Sequence, residues 1–345
     1  MERQITLAAT QLDATPAPLD ERLARAESLV TRAAQAGAQL IALPELFNTG
    51  YAYRNENFAL AETAGGPTAR WMQQISARLG IHLAGSLLLR DGQDIYNALL
   101  LYAPDGRVWR YDKNYPWGWE RAYFRERRAI TIAETDLGSI GMMLCWDMAH
   151  ADLWQQYAGK VDLMLACSCP PNLSQPTYHF PDGSRVTGAQ MGPVFASMRQ
   201  AELRVFADTP AQQCAWLGVP FIGSTACGRV DTPLPNPLGS FLGFLPAAPW
   251  LVGYLPKVRQ MGVSASVVEA ARIFDADGRQ LAGLCNEQGE AFALAEVTLP
   301  VERPQPHRRQ PKPPVSWLMY FVSDKFLTAV SRGTYARGNQ SGRKA

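Results

Sequence analysis

Nowhere does the chain carry a glycine-rich phosphate loop of either standard spacing, so no nucleotide cofactor is expected. Its six cysteines, at positions 145, 167, 169, 214, 227 and 285, include no CxxC pair and no repeated interval. No basic-then-apolar leader precedes the first strand pattern, Ile5 to Ala9. The cysteines therefore read as reduced thiols of a cytoplasmic protein. Cys167 and Cys169 share one side of an extended strand, but no further ligands are spaced for a metal, and none is expected. Histidine is scarce, with four in 345 residues. His82 and His179 have no partner identifiable from sequence, and His150 reads equally as a pocket residue or a half-exposed residue at a helix start. No internal repeat is present. What remains, 47% hydrophobic and 19% charged, suits a soluble globular enzyme.

Helix and strand patterns alternate along the chain. Leu19, Leu23, Ala26, Val30 and Ala33 fall on one helical face that ends at Gly37. Pro67 opens a second helix, stopped by Gly80. Strand patterns follow at 81–89 and 95–103, with a turn at Pro104-Asp105-Gly106-Arg107. After residue 145 come a helix near 151–158, a strand from Val161 to Cys167 and a long helical stretch over about 193–215. The pattern predicts an α/β sandwich of two sheets with helices outside.

Three of the apolar runs end in a reactive side chain. Ile140, Met142, Met143 and Leu144 read as a fully buried strand, which places Cys145 where the strand leaves its sheet. A thiol there can be a nucleophile once a base takes its proton, although an isolated cysteine is more often a small core hydrophobe. Leu40 to Pro44 lead into Glu45, a candidate base, with the alternative of a glutamate reaching solvent past a strand. Lys113 lies in a stretch from Tyr111 to Phe124 that also holds Tyr115, Trp117, Trp119 and Tyr123. That is poor company for an ordinary solvated lysine, and cation–π contact is its structural alternative.

Leu-Pro-Glu-Leu-Phe at 43–47, Asp-Lys at 112–113 with Glu-Arg-Ala-Tyr-Phe at 120–124, and Leu-Cys-Trp-Asp at 144–147 together resemble the nitrilase (carbon–nitrogen hydrolase) superfamily. The resemblance covers most of residues 4–300. It implies a four-layer α-β-β-α sandwich of two mixed sheets flanked by helices, dimerising to a longer stack. It also implies that Glu45 is the base, Cys145 the nucleophile, and Lys113 with the backbone N–H of Trp146 the oxyanion stabilisers. Glu120 matches a second glutamate that orients the lysine or the substrate. The expected reaction is hydrolysis of a small-molecule amide through a thioester, without a cofactor. The alternatives are a nitrilase, an acyltransferase that passes the thioester to an amine, or a catalytically silent membrane-associated scaffold. Typical nitrilases have Cys-Trp-Glu where this chain has Cys145-Trp146-Asp147, which favours an amide. The continuation Asp147-Met148-Ala149-His150 departs from many members and leaves the acyl side of the pocket undefined.

Two segments fall outside the family pattern. Residues 232–256 contain no charged side chain but six prolines and three glycines, which argues for an apolar insertion rather than a spanning helix. It reads as a lid, a partner contact or a loop dipped into a membrane surface. Residues 301–345 hold nine Lys or Arg against two acids, net +7, which leaves 24 bases and 29 acids in residues 1–300, net −5. The chain thus divides into a hydrolase domain, 1–300, and a tail with a Pro-rich basic linker and an amphipathic C-terminal helix, 301–345. Residues 315–337, with 238–255, could lie on an anionic membrane at the cytoplasmic face, or the tail helix could swap onto a second protomer of a homodimer or higher oligomer. The acidic body argues against nucleic acid.

Overall fold

The computed structural model describes residues 3–191, 201, 204–246, 248–306 and 309–341. Twelve strands form two six-stranded mixed sheets joined through one long strand. The first sheet holds β1 (Arg3–Asp13), β2 (Leu40–Ala42), β3 (His82–Asp91), β4 (Asp94–Tyr102), β5 (Val108–Asp112) and β16 (Phe292–Leu299). The second holds β6 (Ile132–Thr135), β7 (Gly138–Leu144), β8 (Leu163–Ser168), β11 (Phe221–Cys227), β14 (Arg272–Phe274) and β15 (Gln280–Gly283). Leu7 to Ala9 of β1 pair with β2 in parallel, and Gln11 to Asp13 run on to pair with β11. The expected α/β sandwich is therefore the observed one.

The core between the sheets is built from their facing sides: Leu7, Leu40, Leu99 and Tyr111 from the first, Ile140, Met142, Leu144, Leu165 and Ile222 from the second. The helices Leu19–Gln35 and Pro67–Leu79 cover the outer face of the first sheet, where Ala26, Val30, Ala33, Met72 and Ile75 pack on Ile41 and Leu83. The helices Ala151–Tyr157 and Thr209–Leu217 cover the second through Leu153, Trp154, Cys214 and Leu217. Of the long helical stretch expected over 193–215, the segment 192–200 and residues 202–203 lie outside the described residues. The rest is a wide turn, Arg204–Asp208, feeding the helix to Leu217, where Gly218 turns left-handed at φ 73°.

A four-stranded sheet, in the order β10 (Arg185–Thr187), β9 (Thr177–His179), β13 (Gly262–Ser266) and β12 (Arg229–Pro233), carries the uncharged segment. That segment holds a short helix, Pro237–Leu242, and most of a helical run, Pro249–Gln260, that continues past it through Lys257 and Arg259; Phe241 and Leu251 are buried, as is Val258 just beyond the segment. Leu238, Leu242, Trp250 and Val252 face outward. After a stretch without regular structure, the tail forms one helical run, 317–341, widened over Val322–Phe326. It packs on its own body. The Tyr335 hydroxyl donates to Asp94 Oδ1 at 2.8 Å, Asn339 Nδ2 donates to the Gln93 carbonyl at 2.7 Å, and Asn236 Nδ2 donates to the Val330 carbonyl at 3.0 Å. Leu327 sits over Gly118, where a Cβ would come within 2.6 Å of its Cδ1 and φ is +33°, so a larger residue there would strain the turn and push on the tail. No helix among the described residues is long and apolar enough to cross a membrane.

Candidate active site

Strand ends place the candidate side chains. Lys113 follows β5 directly, Cys145 follows β7 directly, and Glu45 lies three residues past β2. Cys145 opens a tight helical turn, Cys145–Ala149, with φ at +49°, and Leu46 beside Glu45 has φ +52°. A left-handed non-glycine residue costs on the order of 1–3 kcal/mol, and such strain persists where surrounding structure dictates it. Here Asp147 supplies that restraint. Its Oδ2 accepts from the Tyr111 hydroxyl at 2.7 Å and the Leu144 N–H at 3.1 Å, and its Oδ1 from the Tyr115 N–H at 2.7 Å. Burial pushes the Asp147 carboxyl up to about 6.

Lys113 is fully buried and bridges two buried carboxylates. Its Nζ lies 2.7 Å from Glu45 Oε1, and 2.9 and 2.7 Å from Glu120 Oε1 and Oε2. Burial works against the ammonium, but Glu120 and Glu45 outweigh it and hold its pKa well above the usual lysine value. Glu45 Oε1 also accepts from Asn97 Nδ2 at 2.7 Å, and its Oε2 from the Cys169 backbone N–H at 3.0 Å. Glu120 Oε1 accepts from the Tyr51 hydroxyl at 2.5 Å and Oε2 from the Trp117 N–H at 2.7 Å. Its own pKa is raised, by burial first, with Lys113 opposing. Burial, followed by the charge of Glu45, pushes the Cys145 thiol well above its ordinary value. A thiol so placed needs a base to become a nucleophile, and the carboxylate whose field it feels most is Glu45.

Cys145 and Glu120 open onto a cavity of about 40 Å³, with Tyr51, Trp117, Trp146, Pro170, Pro171, Leu173, Phe206 and Met319 as its other described walls. The structure thus brings Glu45, Lys113, Glu120 and Cys145 to one place, with Trp146 next in chain. His150 stays outside the cavity. It stacks on Tyr115 at 3.5 Å between ring centroids, and its Nε2 lies 3.0 Å from Asp324 Oδ2. Glu269, Cys285 and Glu287 form the one trio of metal-ligand types among the described residues, with ligand atoms within 4.8 Å, and none of them lines this cavity.

Comparison with known proteins bears on the family and the fold. The carbon-nitrogen hydrolase family model matches residues 6–306. The chain belongs to the carbon–nitrogen hydrolase family. Relatives of this carbon–nitrogen hydrolase include a nitrilase of Pyrococcus abyssi, 32% identical over 133 residues, covering 37% of this chain and 50% of that protein. The omega-amidase NIT2 of Xenopus tropicalis is 31% identical over 156 residues, covering 41% and 54%. The chain spans about half the length of the curated relatives it matches. In fold it is similar to a CN-hydrolase superfamily protein of Xanthomonas campestris with an arsenic adduct in its active site, at TM-score 0.62, 16% identity and coverage of 87% and 91%. The Nesterenkonia AN1 amidase of the nitrilase superfamily gives TM-score 0.60, 17% identity and coverage of 84% and 90%.

Sequence reasoning passed over several members of the site. Asn97 interrupts an otherwise apolar strand face, a polar residue with no reason to be buried except a partner, and that signal was available. Tyr51 gave no such signal. Met319 and Asp324 lie in the tail, beyond the family match, and reach the site only because the chain folds back. Trp146 Nε1 donates to Asp324 Oδ1 at 3.1 Å, and the Tyr320 hydroxyl donates to the Ala149 carbonyl at 2.5 Å.

Proposed function

We propose that this carbon–nitrogen hydrolase is an amidase that cleaves small amides with an apolar acyl group. The supporting observation is the fully buried Lys113 ammonium clamped between Glu45 and Glu120 beside Cys145. Burying an ammonium with two carboxylates is a poor route to stability, and it suits a site that must meet a developing negative charge. Glu45 takes the Sγ proton of Cys145, and the thiolate attacks the carbonyl carbon. The oxyanion is held by Lys113 Nζ and the Trp146 N–H. Collapse expels the amine, which takes the proton from Glu45, and leaves a thioester. Water, deprotonated by Glu45, then attacks the thioester carbonyl; the C–S bond breaks, the acid leaves, and Glu45 returns the proton to Cys145 Sγ. Glu120, bonded to Lys113 through both oxygens, keeps the ammonium aimed. No lysine or arginine is among the described residues that wall the cavity, which favours an uncharged acyl chain over one ending in a carboxylate. Ammonia release from an amide panel tests this reading: it should vanish in Cys145→Ala, and unchanged release would remove the assignment.

The same reading extends to where the enzyme works. Trp317, Leu318 and Phe321 on the tail, and Leu238, Leu242, Trp250 and Val252 on the uncharged segment, make up seven of the twelve large apolar side chains exposed among the described residues. The two segments adjoin, with Phe326 packed on Gly243 and Val330 on Gly239. Exposed aromatic residues on a helical run that also carries Lys325, Arg332 and Arg337 suit an anionic bilayer surface. Flotation with vesicles of anionic lipid should carry the full chain but not a chain ending at Pro300, and equal behaviour of both would retire the membrane contact.

A further inference from the structure

The family match ends at residue 306, yet the chain beyond it supplies part of the wall around Cys145. We infer that the tail helix is the specificity element of this site, with Met319 setting the length of acyl chain admitted and Asp324 fastening the helix to the catalytic turn. This rests on the assignment of Cys145 as nucleophile.

Three observations carry the inference. Met319 is the tail's contribution to the cavity and packs, half-buried, against the cluster that contains Cys145, Trp146 and Phe206. The helix is held at this point by polar contacts directed at the catalytic turn itself. Asp324 accepts from the Trp146 indole at 3.1 Å and contacts His150 at 3.0 Å, while Tyr320 bonds to the Ala149 carbonyl. On the far side, Leu327 seats on Gly118, in the same turn as Glu120, so the helix touches the two turns that carry Cys145 and Glu120. A side chain from an element fixed at both flanks has little freedom to swing away, and it limits what fits. Methionine is unbranched and fills irregular gaps. Other walls come from Tyr51, Pro170 and Pro171 of the body, which lack the rotatable chain of methionine and cannot adapt in the same way.

A covalent probe separates this inference from the amidase reading. Chloromethyl ketones R–CO–CH2Cl alkylate a cysteine by displacing chloride, which forms a thioether whether or not the protein hydrolyses amides. Labelling rates at Cys145, read by intact mass, are compared for R = methyl, propyl and hexyl in the full-length protein. Met319→Ala should raise the hexyl-to-methyl rate ratio by about tenfold or more, the discrimination expected when methylenes gain room in an apolar pocket. Met319→Trp should lower the ratio below that of the unmodified chain. Asp324→Asn, which keeps an acceptor for the indole but loses the charge, should leave the ratio nearly unchanged, whereas Asp324→Ala should move it towards Met319→Ala as the helix loosens. A ratio that stays constant across Met319→Ala and Met319→Trp, with unaltered thermal melts, overturns the inference. If Cys145 labels with the expected ratios while no amide is cleaved, the amidase reading fails and the tail's role stands.

Discussion

The cavity at Cys145 has walls of two kinds, and they are held by different physics. On the body side the wall that carries Cys145 and Glu120 is backed by buried, reciprocally bonded charges: Lys113, Glu45 and Glu120 have essentially no exposed side chain and sit just past strand ends or in a turn tied to them. On the tail side the contacts are one methionine, one half-buried carboxylate and a tyrosine, on a helix whose outer residues face water, Trp317 with 75% of its surface exposed. The body wall cannot move without stranding a charge in a medium that will not solvate it. The tail wall can change by swapping apolar atoms at small cost. A site so divided keeps its chemistry fixed and leaves its substrate range open to drift.

The comparison breaks most visibly at the proposed nucleophile. Cys145→Ala should lower amide turnover by roughly a thousandfold or more while leaving the melt nearly unchanged, because loss of a nucleophile removes the covalent route rather than a contact. Loss of less than tenfold would mean that bound water, and not the thiol, attacks. Lys113 gives the largest stability effect. Lys113→Ala leaves Glu45 and Glu120 facing each other unneutralised, and chemical denaturation should report a loss of about 3–5 kcal/mol. Asp324→Ala takes an acceptor from the Trp146 indole N–H, the His150 ring and the Ser323 hydroxyl, which keeps other acceptors, so its cost should be about 1–3 kcal/mol. If the two variants cost the same, the two walls are not of different kinds.

The hinge between the walls is His150, and it makes the comparison pH-dependent. Burial, with Arg128 and Arg121 opposing the imidazolium, lowers its pKa to about 4, even though Asp152 pulls the other way. At neutral pH its contact with Asp324 is therefore a hydrogen bond from an uncharged ring, not an ion pair. On unfolding the ring regains its ordinary value of 6.5. Between those two pKa values the unfolded chain binds a proton that the folded chain refuses. Stability from this group is thus complete above pH 6.5 and declines as pH falls towards 4, by at most about 3 kcal/mol. His150→Gln should flatten that part of a stability profile measured from pH 7 to pH 4. A profile as steep as that of the unmodified chain would assign the slope to other groups.

Much of the body wall was legible in the sequence. Buried strands announce themselves as apolar runs, and a reactive residue just past the run has to lie at the sheet's edge, which is how Glu45, Lys113 and Cys145 could be read. Their convergence was not derivable from periodicity, since it depends on which strand ends meet, and it came from the resemblance of three ordered motifs. Composition alone marked the tail as basic and apolar and left open whether it lies on lipid or on a second protomer. It could not say that Asp324 would return 178 positions to meet Trp146, because no local rule links residues so far apart. The widened turn at Val322–Phe326 adds to the difficulty. It inserts extra arc into the helix, so the spacing that places Met319 and Val322 against the body and Trp317 and Phe321 in water does not continue unchanged past it.

The smallest effect tests the outermost part of the tail. Trp317 meets Phe321 in a tilted pair, 6.2 Å between ring centroids, and is 75% exposed, so Trp317→Ser removes little packing and should change stability by no more than about 0.5 kcal/mol. The same substitution takes a large amphipathic ring from the face proposed to meet lipid, and should weaken flotation with anionic vesicles several-fold, since burial of apolar area and attraction of cations act together there. A stability loss well beyond that bound would mean that the ring packs against protein, and the outer face would then belong to the same structural class as the wall around Lys113. Unchanged stability with unchanged flotation would leave the tail as a wall of the pocket alone, facing water on its other side.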